Sequence, residues 1–165
     1  MCLTFVCVRL TLDVMSKPYH YTECGLDYVY LLDGCAITET GYGPLVEVVN
    51  ASKLDRAIAL AVVLHQNRLT GQEVHFLRGL LDMTQDELGR ALGKDAQSVA
   101  RWEKGKTELP ATDDIAIRQI YLDAIGHRQK FIETSRKVAA LKSRIGVVRF
   151  RANGRQTWSM ATEQH

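Results

Sequence analysis

Gln97, Ser98 and Arg101 lie on one side of a short amphipathic stretch, residues 96–103. An amide, a hydroxyl and a guanidinium are the groups that hydrogen-bond base edges in a DNA major groove. Val99 and Trp102, three apart, supply the opposite, buried side. Asp95 is placed to cap this helix. A second helix must precede it. Thr84 with Glu87 three residues on forms a capping box, and Leu88, Ala91 and Leu92 make one apolar stripe. Gly93 follows, where a left-handed helix stop favours glycine. Gln85 opens the helix, where backbone N–H groups and the dipole favour an anion. Helix, glycine turn and a second helix with a polar outer face is the form of a helix-turn-helix.

TQDELGRALG followed by QSVARWEKGKTELP resembles the helix-turn-helix of the XRE family, the phage-repressor-like regulators, over roughly residues 70–125. The resemblance rests on Gln85, Gly93, Val99, Trp102 and the exit loop Glu103-Lys104-Gly105-Lys106. It implies that Ala96, Gln97 and Arg101 project toward bases, the Ala96 methyl meeting a thymine methyl. It also implies that Gln85, Ser98, Lys104, Lys106 and Thr107 lie along the sugar-phosphate backbone, where contacts position without reading sequence. Two positions depart. Gly89 stands where the family usually has alanine, at a cost of ~1 kcal/mol in helix propensity. Lys94 stands where an apolar or small residue is common.

The chain has 165 residues, 46% of them hydrophobic, so a real core is possible. Its net charge is +2, but the distribution is uneven. Residues 1–50 hold 2 basic and 6 acidic side chains, and residues 111–165 hold 10 and 5. An acidic front and a basic rear suit a protein-facing front and a phosphate-facing rear. Nine Lys/Arg against the single acid Glu133 between Arg128 and Arg155 could add salt-sensitive phosphate attraction. Cys2, Cys7, Cys24 and Cys35 form no C-x-x-C pair, which suits a reducing cytosol. No apolar run approaches the ~20 residues of a membrane span.

Taken in order, residues 1–14 are apolar without a basic opening or a cleavage site, and are expected to be a non-native or disordered extension upstream of Met15. Residues 19–49 read as three or four short strands, with a hairpin at Asp33-Gly34 and a loop over residues 41–44. Such a sheet is marginal alone and needs a helix. That helix is predicted over residues 52–66, capped by Ser52 with Asp55. Thr70 with Glu73 opens the first helix of the helix-turn-helix unit. Thr112 is expected to cap a helix interrupted at Gly126, and residues 127–145 are helical in composition. Residues 146–165 read as a frayed tail in which Trp158 is incidental.

The predicted fold class is α+β: a small N-terminal antiparallel sheet with a packing helix, then an all-α helix-turn-helix domain and C-terminal helices. The expected divisions are residues 1–14, 15–68, 69–126 and 127–165. The front stretch YHYTECGLDYVYLLDG, followed by a helix and this motif, resembles the YgiT/MqsA-like regulators and antitoxins. In that family the N-terminal domain often binds structural zinc through two C-x-x-C pairs. Here both pairs are missing, and His20, Cys24 and Cys35 lack a fourth ligand, so no metal or other cofactor is expected. Cys24 and Cys35 read instead as small, mostly buried thiols. Hydrolase, metalloprotease, nucleotide-loop and dinucleotide motifs are all missing, and His65 and His75 form no pair, so no catalytic residue is assigned. The expectation is a cytoplasmic, non-enzymatic, sequence-specific DNA-binding regulator, a repressor acting as a homodimer on double-stranded operator DNA. The helices after Pro110 are the expected dimer face. The alternative is an antitoxin that binds a toxin protein through its acidic front and autoregulates its operon.

Overall fold

A computed structural model describes residues 18–41, 43–65, 67–126, 147–153 and 157–161. The expectations for residues 1–14 and for a helix over 127–145 lie outside these. The fold is α+β as predicted, with strands β1 (Tyr19–His20), β2 (Val29–Leu31), β3 (Cys35–Thr40) and β4 (Gly43–Val48) ahead of five helices. These are α1 (Ala51–Leu64), α2 (Gly71–Leu80), α3 (Gln85–Leu92), α4 (Ala96–Glu103) and α5 (Ala111–Ala124), followed by β5 (Val148–Asn153) and β6 (Thr157–Met160).

The frayed-tail reading is corrected by β5 and β6. They form an antiparallel hairpin that joins β2 in parallel, giving a four-stranded sheet in the order β1-β2-β5-β6. The alternation Val148, Phe150, Ala152 was the overlooked period-2 pattern. Phe150 and Trp158 are core residues, and Trp158 Nε1 donates to the Val49 carbonyl at 2.9 Å. Trp158 is therefore not incidental.

Asp33-Gly34 is not a hairpin turn either. Among the described residues β2 and β3 belong to different sheets, β3 pairing with β4 alone. Gly34 has φ +76°, and a Cβ there would lie 2.6 Å from the Trp158 ring and 2.7 Å from Ala152 Cβ. Asp33 Oδ1 accepts the Ala152 N–H at 2.6 Å. The dipeptide seats the C-terminal hairpin and passes the chain to the second sheet. The antiparallel pair is β3 with β4, closing at Thr40 opposite Gly43, and Pro44 falls inside this two-stranded sheet, where an edge position tolerates a missing donor.

Helix α1 covers the larger sheet with Leu54, Ile58 and Val62. It starts one residue earlier than predicted, at Ala51, behind a left-handed Asn50 that makes no side-chain cap, so Ser52 is not the cap. Thr112 is not a cap either. The Pro110 carbonyl accepts the N–H groups of Asp113 and Asp114, which starts α5 at Ala111. One hydrophobic cluster runs from Tyr21 through both halves of the chain to Trp158. Ile117, Tyr121 and Leu122 of α5 are buried inside this cluster.

Two polar ties bind the sheet side to the helices. Tyr28 donates its hydroxyl hydrogen to Glu73 Oε1 at 2.5 Å, and Glu73 Oε2 accepts the Thr70 N–H in the predicted capping box. Burial first, then the Glu73 carboxylate, pushes the Tyr28 phenol far up. Arg118, buried on α5, donates to the carbonyls of Val63 and His65 at 2.7 Å each, to Val62 at 3.2 Å, and to Asn67. Its Nε pairs with buried Asp114, whose Oδ2 accepts the Leu69 N–H. The end of α1 thereby gains the partners its last carbonyls need.

Candidate nucleic-acid interface

The local chemistry that shapes α3 and α4 is the chemistry the sequence implies. Thr84 Oγ1 accepts the Glu87 N–H at 3.2 Å, and the Glu87 carboxylate accepts the Thr84 N–H at 2.7 Å. Those hydrogen bonds from Thr84 hold Glu87 below the usual carboxylate range. Gly93 takes φ +66°, and the Lys94 N–H reaches back to the Gly89 carbonyl at 2.8 Å. This six-to-one bond with a left-handed glycine is a Schellman stop. Asp95 Oδ1 accepts the Ser98 N–H at 2.7 Å, and hydrogen bonds from Ser98 hold the Asp95 carboxyl low.

The glycine at position 89 has a local reason. A Cβ there would stand 2.9 Å from the Lys94 carbonyl oxygen and 3.1 Å from Asp95 backbone atoms. The turn between α3 and α4 is drawn in close over Gly89, so the glycine relieves contact as well as costing helix propensity.

On α4, Val99 and Trp102 are buried while Gln97 and Arg101 are exposed. Ala96 and Ser98 are half-buried at the helix start. Gln97 and Arg101 make no side-chain hydrogen bond or ion pair among the described residues, although the Arg101 charge helps to hold the Asp95 carboxyl low. Lys104, Lys106 and Thr107 are exposed in the loop that follows. That loop is set by a second Schellman stop: Lys106 N–H to Arg101 O and Gly105 N–H to Trp102 O, both 2.9 Å, with Gly105 at φ +63°.

Gln85 lies elsewhere in character. It is half-buried, and its Nε2 donates to Glu103 Oε2 at 2.7 Å. Glu103 is the hub of the unit. Its side chain is 6% exposed and also binds Arg78 Nε at 2.6 Å and His75 Nδ1 at 3.2 Å. Burial pushes the Glu103 carboxyl up, but hydrogen bonds from Arg78, Gln85 and His75 outweigh it and hold the group below its ordinary range. One carboxylate thus ties α2, α3 and α4 together. Reading residues 103–106 simply as an exit loop missed this. The usable signal was helical phase, since Glu103 follows Val99 by four and Trp102 by one, on the inward side.

Gly71 is the other residue sequence reasoning passed over. Its Cα sits against the last turn of α4, where a Cβ would be 2.3 Å from the Trp102 carbonyl oxygen and 2.7 Å from that of Glu103. The first turn of α2 is thereby packed against the end of α4.

Cys24 and Cys35 are partly buried rather than mostly buried. Burial pushes both up from their ordinary values. Among the described residues, no three His, Cys, Asp or Glu side chains gather as a metal-binding group, and no helix is long and apolar enough to cross a membrane. No curated protein and no solved structure matches the chain. Residues 75–113, from α2 into the first turn of α5, match the family model described as Helix-turn-helix, and this XRE-type domain supports a DNA-binding transcription regulator.

Proposed function

We propose that this protein is a sequence-specific transcription regulator that binds operator DNA as a homodimer and represses from it. The observation that carries the reading is the outer face of α4, where Gln97 and Arg101 stand exposed above a buried Val99 and Trp102. Ala96, Gln97 and Arg101 read bases. Ser98, Lys104, Lys106 and Thr107 contact phosphates. Gln85 joins them through its backbone N–H and its second amide hydrogen, the first being committed to Glu103. A dimer would set two such helices about one DNA turn, ~34 Å, apart on a pseudo-palindrome.

Selection from random duplex oligonucleotides with the full chain gives the operator and its half-site spacing. On that operator, Arg101→Ala is expected to lose about 1–3 kcal/mol and to relax one base position. Lys104→Ala is expected to weaken all sequences alike and to flatten the salt dependence by about one ion. Unchanged affinity and specificity with Arg101→Ala would remove it from the reading set.

A second reading, an antitoxin of the YgiT/MqsA-like kind, is favoured by the β3-β4 hairpin. It forms its own two-stranded sheet and exposes Ile37 and Leu45 at 45% and 59%, one on each face. A two-stranded sheet is marginal by itself, which suits a surface completed by a protein partner. Co-purification with the product of the adjacent gene, lost in an Ile37→Asp/Leu45→Asp variant that still binds operator, is the expected result. Retention of the partner by that variant would count against it.

A further inference from the structure

A cavity of about 360 Å³ lies between α1 and the larger sheet, away from the recognition helix. Ala57, Ala61 and Leu64 of α1 form one wall, and Val148, Phe150 and Met160 of the C-terminal hairpin form the other. The short side chains of Ala57 and Ala61, one helical turn apart, leave the space that larger residues fill elsewhere along α1. Tyr28 and His65 supply the polar groups of the lining.

We propose that this cavity is a binding site for a small neutral molecule, aromatic or alicyclic, with one hydroxyl or carbonyl group. The volume falls within the range of small-molecule pockets, and an apolar wall with a few polar groups is their usual composition. Among the described residues no Lys, Arg, Asp or Glu lines the space, so none of them would neutralise an ion there. Behind Tyr28 stands the Glu73 carboxylate, which disfavours an anion further. Burial lowers the His65 pKa, against the Glu73 charge and with that of Arg118, which favours the neutral imidazole. Its Nδ1 accepts the Asn67 N–H at 3.4 Å, which leaves Nε2 for the polar group. A strand of protein would bring unpaired backbone groups into this apolar space, and a helix would need a longer trough.

The site is placed to act on the rest of the molecule. The α1 residues that line it run directly into the carbonyls of Val62, Val63 and His65, which Arg118 bolts to α5. Through Asp114 the same cluster holds Leu69, two residues before α2. A molecule wedged against Ala61 would therefore shift the load on the helix-turn-helix unit. Only the regulatory meaning of that shift rests on the DNA-binding reading.

The test uses the full chain without DNA, with 1-naphthol as probe, so its failure is separable from failure to find an operator. Calorimetry is expected to show saturable one-site binding, weakened at least about tenfold by Ala61→Trp. Ala61→Leu, a smaller intrusion, is expected to give an intermediate loss with an unchanged circular dichroism spectrum. The anion 1-naphthalenesulfonate is expected to bind at least about tenfold more weakly. Amide exchange at Leu69 and along α5 is expected to change on saturation with 1-naphthol. No saturable binding up to the solubility limit would overturn the site, as would binding indifferent to both folded Ala61 variants. Equal binding of the sulfonate would overturn the assigned ligand class, and unchanged exchange would overturn the transmission.

Discussion

Arg118→Met is expected to lower stability by about 3–5 kcal/mol, the cost of leaving one partner of a buried ion pair uncompensated. Arg118 is 2% exposed and Asp114 fully buried, so solvent cannot take over from the missing guanidinium. Methionine replaces the aliphatic stem of Arg118 out to about the position of Nε, so the packing along the stem is kept and the loss is centred on the guanidinium. That loss has two parts. Asp114 keeps the Leu69 N–H but loses its cation, and the carbonyls of Val62, Val63, His65 and Asn67 lose their common donor. Urea unfolding followed by circular dichroism reads the change as a lower midpoint. Adding Asp114→Leu to Arg118→Met is expected to recover part of the stability, since it removes the stranded charge, but not all of it, since the carbonyls stay bare. A single-variant loss below about 1 kcal/mol would show that water reaches the cluster and that the clamp is not a structural keystone.

Gly71→Ala is expected to cost about 2–3 kcal/mol, in the range of overpacking a filled interior. The added methyl would stand 2.3 Å from the Trp102 carbonyl oxygen and 2.7 Å from that of Glu103. Both are backbone atoms, so no side chain can swing aside. Either α2 or the end of α4 must move, and with α4 move Arg101 and the Lys104–Lys106 loop. Operator affinity is therefore expected to fall along with stability. Gly79→Ala is the control. It lies on the same helix, exposed, and a Cβ there meets nothing within 4 Å. That substitution is expected to stabilise by roughly 0.5–1 kcal/mol from backbone entropy alone. If the two variants shifted the urea midpoint in the same direction, the close approach of α2 to α4 would not be the cause.

The motif was legible because its information is local. Thr70 with Glu73, Thr84 with Glu87, Asp95, Gly93 and the apolar spacings act within one or two helical turns, and each performs the role its position implies. The α+β class was legible for the same reason. Capping failed as a guide where the backbone itself decided. Asn50 enters α1 in a left-handed conformation and Pro110 starts α5 through its carbonyl, so Ser52 and Thr112 were bypassed.

What the sequence by itself determined is the helix-turn-helix: its stops, its caps, and which side of α4 faces out. What only the tertiary structure decided is everything that joins distant parts of the chain. β5 pairs with β2, and β6 with β5, because a parallel neighbour completes a sheet that two short strands could not sustain. Asp33-Gly34 became a seat for Trp158 because that indole returns from 124 positions further along the chain. Glu103 became the hub of three helices, and Arg118 the clamp of two, because a buried charge must find its partners wherever the fold brings them. Short-range spacing carries no record of those meetings, and so the helix-turn-helix was written in the sequence while its frame was not.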